Sequence, residues 1–229
     1  MQVKPNLVLS GCTLGLLGTV TQVLIIRELL VAFTGNELTI ATVLAIWLVS
    51  VALGCVMANR LIRPEGSRNW VAALFIMAGL FSLMQVILVR LVRPLIAPIG
   101  ELLGPDMVVA TTAIGVIPCA AALGALFVLI VRYGSRRGHI APLPAVYGGE
   151  ALGSGLAGVL LGIWLLDYLN PISILCLCAL LSAGFGILML RNASPASAPA
   201  KRAAAVVWPA LAVLALIFGA RIDLALRGV

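Results

Sequence analysis

The chain has 229 residues, 62% of them hydrophobic and 10% charged, with a formal net charge of +7 and a mean hydropathy of +1.18. This composition excludes a water-soluble enzyme with a charged surface, and the short polar stretches leave no room for a folded soluble domain. The basic residues cluster between apolar runs rather than along one face, which argues against nucleic acid as a partner and for lipid headgroups and topology signals.

A bilayer core of about 30 Å needs roughly 20 apolar helical residues. In chain order the suitable runs are Asn6 to Phe33, Leu38 to Leu61, Trp70 to Val89, Met107 to Val131, Val146 to Leu166, Ile172 to Leu190 and Ala204 to Ala220. The first is too long for a signal peptide, carries Arg27 and Glu28, and lacks a small-x-small cleavage site, so it reads as a retained helix. Unbroken hydrophobicity fits helices, whose backbone groups are satisfied internally where no water is present. The expected fold class is all-α, a polytopic integral membrane bundle of about seven transmembrane helices. Residues 1–190 form a six-helix body, residues 191–202 (RNASPASAPAKR) a flexible linker, and residues 203–229 a last transmembrane helix and tail.

Arg60, Arg63 and Arg68 follow the second run, Arg132, Arg136 and Arg137 the fourth, and Arg191, Lys201 and Arg202 the sixth. With Lys4, they predict a cytoplasmic N-terminus and cytoplasmic even-numbered loops, in a membrane read as the bacterial inner membrane. Seven spans would bring the C-terminus outside. Arg90 and Arg93 then belong to an outer loop, where Pro94, Pro98, Gly104 and Pro105 break the chain into an interfacial or partly re-entrant segment.

Ionisable groups inside apolar spans are costly and need a partner or a purpose. Gln22, Arg27, Glu28 and Glu150 are the candidates for an intramembrane polar pocket. Arg27 and Glu28 are adjacent and so point about 100° apart on a helix. Glu150, after Gly148 and Gly149, is expected near the first turn of the fifth helix, either capping it or receiving a cation. Asp167 is expected to mark a helix end, with Asn170 and Pro171 in the turn.

Small residues recur at helical spacing. Gly11, Gly15 and Gly18 lead to Gln22; Ser50, Gly54 and Ala58 repeat every four; Gly149 and Gly153, then Gly158 and Gly162, form two GxxxG pairs. Such stripes let helices approach closely where lipid offers no hydrophobic drive. Pro118 is a candidate hinge within the fourth helix. Gly35, Asn36 and Glu37, opening the second helix, echo Gly148, Gly149 and Glu150, a short match of the kind a three-plus-three inverted repeat would leave.

No nucleophile triad, phosphate loop, cofactor motif or metal spacing appears. The five cysteines fall inside the spans and the sole histidine, His139, in a basic loop.

Two segments carry a family resemblance. The run from Gly18 to Gly54, GTVTQVLIIRELLVAFTGNELTIATVLAIWLVSVALG, resembles the first helical hairpin of membrane-embedded spermidine synthase-like proteins, and the run from Val146 to Gly162, VYGGEALGSGLAGVLLG, resembles the Tyr/Gly-rich helix that follows their basic loop. The likeness extends over about residues 10–190 and rests mostly on small and apolar residues. It implies a helical module similar to major-facilitator transporters, joined in that family to a Rossmann-like aminopropyltransferase domain. The Gly-rich loop and acidic residues of that synthase domain have no counterpart in these 229 residues, so no catalytic residue carries over. The expectation is a membrane module, either part of a longer protein or a stand-alone relative without the enzyme. It would anchor a synthase-like domain or pass it a small cationic metabolite. An independent small-solute transporter and a non-catalytic structural membrane subunit are the other readings.

Overall fold

The computed structural model describes residues 7–33, 37–62, 67–96 and 104–191. Six long apolar helices account for nearly all of them: α1 (Leu7–Ala32), α2 (Glu37–Leu61), α3 (Ser67–Ile96), α4 (Pro105–Arg136), α5 (Pro142–Leu160) and, after a π-helical turn (Leu161–Leu165) and the short α6 (Leu166–Tyr168), α7 (Pro171–Arg191). There is no strand among the described residues. Six spans are long and apolar enough to cross a membrane, that of α5 running on through α6. The seventh expected run, residues 204–220, and the linker 192–202 lie outside the described residues.

Local chemistry sets the helix ends. Pro105 and Pro142 stand in the first turns of α4 and α5, where a missing N–H costs nothing. Glu37 opens α2 and Arg60 closes it, both with the sign that the helix dipole favours. Arg132 of α4 donates from Nη1 to the carbonyls of Ala58 and Ile62 at 3.3 and 3.2 Å, tying α4 to the end of α2. The turn after α4 uses Gly138 at φ 75°, in the left-handed region that glycine enters freely.

Two boundaries differ from expectation. α5 begins at Pro142, so Glu150 lies in its third turn and cannot cap its N-terminus; Pro142 and Pro144 are tolerated because they sit where no intrahelical N–H bond is made. α3 continues to Ile96, which takes Arg90 out of the predicted loop and into the helix.

Glycine pairing, not sequence adjacency, decides which helices touch. α1 and α5 run parallel in backbone contact. A Cβ on Gly15 would strike the main chain of Glu150, one on Gly11 that of Val146, one on Gly149 that of Val8 and one on Gly153 that of Cys12. α2 and α4 make the same kind of pair, with Gly54 against Ala121 and Gly124 against Val51. Such close approach supplies the van der Waals contact that holds helices together in lipid. α3 packs antiparallel on α7, Gly79 meeting Ala179 and Gly186 meeting Ala72, with Ser182 donating to the Phe75 carbonyl across the centre. α3 also lies antiparallel on α4, where Gly115 abuts Val89.

These contacts interchange in pairs. Cys12 and Gly15 of α1 correspond to Ala121 and Gly124 of α4, each 109 residues on, while Val51 and Gly54 of α2 correspond to Glu150 and Gly153 of α5, each 99 residues on. Gly15 against Glu150 thus becomes Gly124 against Val51, and Gly153 against Cys12 becomes Gly54 against Ala121. The side-chain bonds follow the same rule: Ser154 donates to the Gly15 carbonyl at 3.3 Å, and Cys55 to the Gly124 carbonyl at 3.2 Å. A shift of 107 likewise carries Gly79 on Ala179 into Gly186 on Ala72. The short sequence echo follows a different register, since it would align Glu150 with Glu37 rather than with Val51; Gly35 and Asn36 lie outside the described residues.

Of the glycine stripes, Gly149 and Gly153 are interface residues, whereas Gly158 and Gly162 have nothing within 4 Å of a built Cβ. The second GxxxG pair therefore packs on no described helix. Gly18 makes only an ordinary contact, with Leu123. Pro118 lies inside α4 with its side chain exposed.

Candidate functional site

The two backbone-tight pairs, α1 with α5 and α2 with α4, line a half-open cavity of about 410 Å³, in the range of small-molecule sites. Gly18 on its wall is eleven residues beyond Leu7, about 16 Å along α1, and Glu150 is eight residues beyond Pro142, about 12 Å along α5. Both positions lie inside their candidate membrane spans rather than at the ends.

The cavity lies across the interchange of contacts. Its lining holds the corresponding pairs Leu14 and Leu123, Gly15 and Gly124, Gly18 and Phe127, Leu48 and Tyr147, Val51 and Glu150, and Cys55 and Ser154. The remaining wall residues are Thr19, Gln22 and Trp47, whose counterparts by the same shifts are Val128, Val131 and Val146. One wall therefore carries nearly all the polar chemistry. α1 and α5 present Thr19, Gln22, Tyr147, Glu150 and Ser154, while α2 and α4 present Trp47, Leu48, Val51, Cys55, Leu123 and Phe127.

Glu150 is half-buried and is the only acidic group in the lining, which contains no basic side chain. It forms no ion pair among the described residues. Its position follows from the α1 and α5 pairing: Gly149 and Gly153 flank it on the buried face against α1, which turns the intervening position toward the cavity edge. Ser154 spends its proton on the Gly15 carbonyl, so its oxygen faces any ligand as an acceptor.

The four residues expected to share a polar pocket are separated. Gln22 and Glu150 line the same cavity. Glu28 is engaged with Arg90 of α3, Arg90 Nε lying 2.7 Å from Oε2 and Nη2 2.6 Å from Oε1. Arg27 is exposed. The physical reason is the one-residue offset between Arg27 and Glu28: the face that carries Glu28 toward α3 carries Arg27 away from the bundle. Sequence reasoning missed Arg90 because it stood beyond the expected end of its span. A signal existed, since parallel first and third helices end on the same side and bring opposite charges 62 positions apart to one level. It also missed Thr19, Trp47, Tyr147 and Ser154, whose spacing is legible only once the partner helices are known.

A second, apolar groove of about 520 Å³ separates α1 from α7, between Leu9, Thr13 and Leu16 on one side and Leu181, Phe185 and Leu188 on the other. Among the described residues no group of three His, Cys, Asp or Glu side chains could hold a metal, and all five cysteines are free. No protein-family model, curated protein or solved structure matches this chain.

Proposed function

We propose that this chain is a carrier-type membrane module that binds a small cationic solute in the Glu150 cavity and moves it through the bilayer. The observation that carries this reading is the place of Glu150: a carboxyl group without an ion-pair partner among the described residues, inside a candidate membrane span, between halves whose contacts interchange. Secondary carriers bind substrate near the midplane at the interface of inverted repeats and rock one part against another around it. A carboxyl group in such a place needs a cation or a proton to offset its desolvation.

The orientation we infer has Leu7 and the α4–α5 turn on the cytoplasmic side of a bacterial inner membrane. Among the described residues that end carries Arg60, Arg132, Arg136 and Arg137, whereas the other carries Arg27, the Arg90 and Glu28 pair, Glu37, Asp106 and Asp167. The excess of arginine on one side is the positive-inside pattern.

A second reading has the cation be a polyamine handed to a synthase-like domain or another membrane subunit. It is favoured by one observation: the two segments that resemble the spermidine synthase-like proteins supply Gly18, Thr19, Gln22, Tyr147, Glu150 and Ser154 of the cavity wall.

Both readings are tested by uptake of labelled putrescine, spermidine and simple monoamines into proteoliposomes holding the chain, beside Glu150→Gln. Saturable uptake lost in the variant supports a carrier. Binding without uptake, again lost in the variant, supports handover. A flat signal for every amine, with the variant indistinguishable, leaves a structural subunit.

A further inference from the structure

The carboxyl count and the two-sided lining of the cavity define its ligand more narrowly. We infer that the Glu150 cavity takes an amphipathic monoamine, a single ammonium group on an aromatic or branched apolar body, in preference to a linear polyamine. This inference rests on the carrier reading above and names its substrate class.

The charge balance comes first. Among the described residues the lining offers one carboxyl group and no second acid, the position corresponding to Glu150 on the other wall being Val51. A monoammonium ion is neutralised by Glu150 alone. A diamine or triamine would leave one or two charges beside Val51, Leu48 and Leu123, and an unpaired charge against an apolar wall is strongly disfavoured. Glu28 cannot supply the second charge, being held bidentate by Arg90.

The hydrogen-bonding groups match a primary or secondary ammonium. Ser154 presents an acceptor oxygen, its proton being directed to Gly15, and Gln22 offers a side-chain carbonyl on the same wall. Glu150 and Ser154, four residues apart on α5, give two acceptors for an ammonium group, whereas Gln22 lies seven residues beyond Gly15, the residue that meets Glu150, and so about 10 Å further along α1. The opposite wall has no comparable groups. It offers Leu48, Val51 and Leu123 for an apolar body, while Trp47, Phe127 and Tyr147 add three aromatic rings, the side chains that attract ammonium ions by their π faces. A second ammonium group of a polyamine finds no second carboxyl group among the described lining residues.

The test measures binding of phenethylamine, putrescine and spermidine to the full chain in nanodiscs by isothermal titration calorimetry, with Glu150→Gln and Val51→Glu alongside. Phenethylamine should bind about tenfold or more tighter than either polyamine, and Glu150→Gln should remove that binding. Val51→Glu places a second acid across the cavity and should shift preference toward putrescine by about tenfold. Wild-type protein that binds putrescine or spermidine as tightly as phenethylamine overturns the monoamine inference while leaving the cation cavity standing. No heat with any amine at millimolar concentration overturns both. The wild-type panel decides even where a variant does not fold.

Discussion

Arg90 meets Glu28 in a bidentate ion pair between two parallel helices, with the arginine side chain 9% exposed and the glutamate 12%. Fork-to-fork geometry makes this one of the stronger polar contacts available to a protein, and in a membrane it neutralises two groups that neither span could carry alone. It joins α1 to α3 at the end remote from Leu7, where no glycine pair does so.

Removing one partner should therefore cost more than removing both. Arg90→Ala or Glu28→Ala is expected to destabilise the folded chain by about 3 kcal/mol, because the survivor is left uncompensated. The double variant Glu28→Leu with Arg90→Leu should recover most of the loss. Thermal unfolding in detergent, arranged as a double-mutant cycle, checks this; additive losses would mean that the two side chains do not interact.

The glycines divide into two groups with opposite expectations. Gly153→Leu drives a side chain into the Cys12 main chain and should cost about 3 kcal/mol or abolish folding. Gly158→Ala and Gly162→Ala, with open space around a built Cβ, should be neutral or stabilise by up to about 1 kcal/mol through the better helix propensity of alanine. Denaturant titration of the three variants reads the difference.

The interchange of contacts makes a substitution readable across halves. Cys55 donates to Gly124 as Ser154 donates to Gly15, so Cys55→Ser should keep the bond and change stability by less than about 0.5 kcal/mol. Cys55→Leu should disturb the α2 and α4 approach. A Cys55→Ser loss as large as the leucine loss, by thermal unfolding, would show that the two bonds are not equivalent.

The inferred orientation is open to direct labelling. With native cysteines replaced by serine, Ile140→Cys in the α4–α5 turn and Asp167→Cys beyond the π turn should react on opposite sides of the membrane. In intact cells an impermeant maleimide is expected to label position 167 and to reach 140 only after permeabilisation. The reverse pattern would invert the assigned topology.

The periodic apolar runs made the six described spans legible, because a bilayer leaves helices as the only solution for them. Partner choice was another matter. Gly149 with Gly153 and Gly158 with Gly162 share one spacing, yet only the first pair has a described helix against it; spacing names a face without saying what covers it. Glu150 was expected in a first turn and lies in the third, since Pro142 and Pro144 look like loop residues until their N1 and N3 positions are known. Arg90 was hidden by its own charge, which ended the apolar run before the helix ended. For the glycine faces the missing information was long-range, carried by residues on another helix.

Pairing α1 with α5 has a consequence for how the protein is made. Gly15 and Ser154 are 139 residues apart, and at 5–20 residues per second their synthesis is separated by roughly 7 to 28 s. The first helix must therefore dwell in the membrane with its Gly11 and Gly15 face uncovered until the fifth span arrives. During that interval any other small-residue helix is a competing partner, so assembly depends on escorting an unfinished bundle rather than on adding finished hairpins one by one.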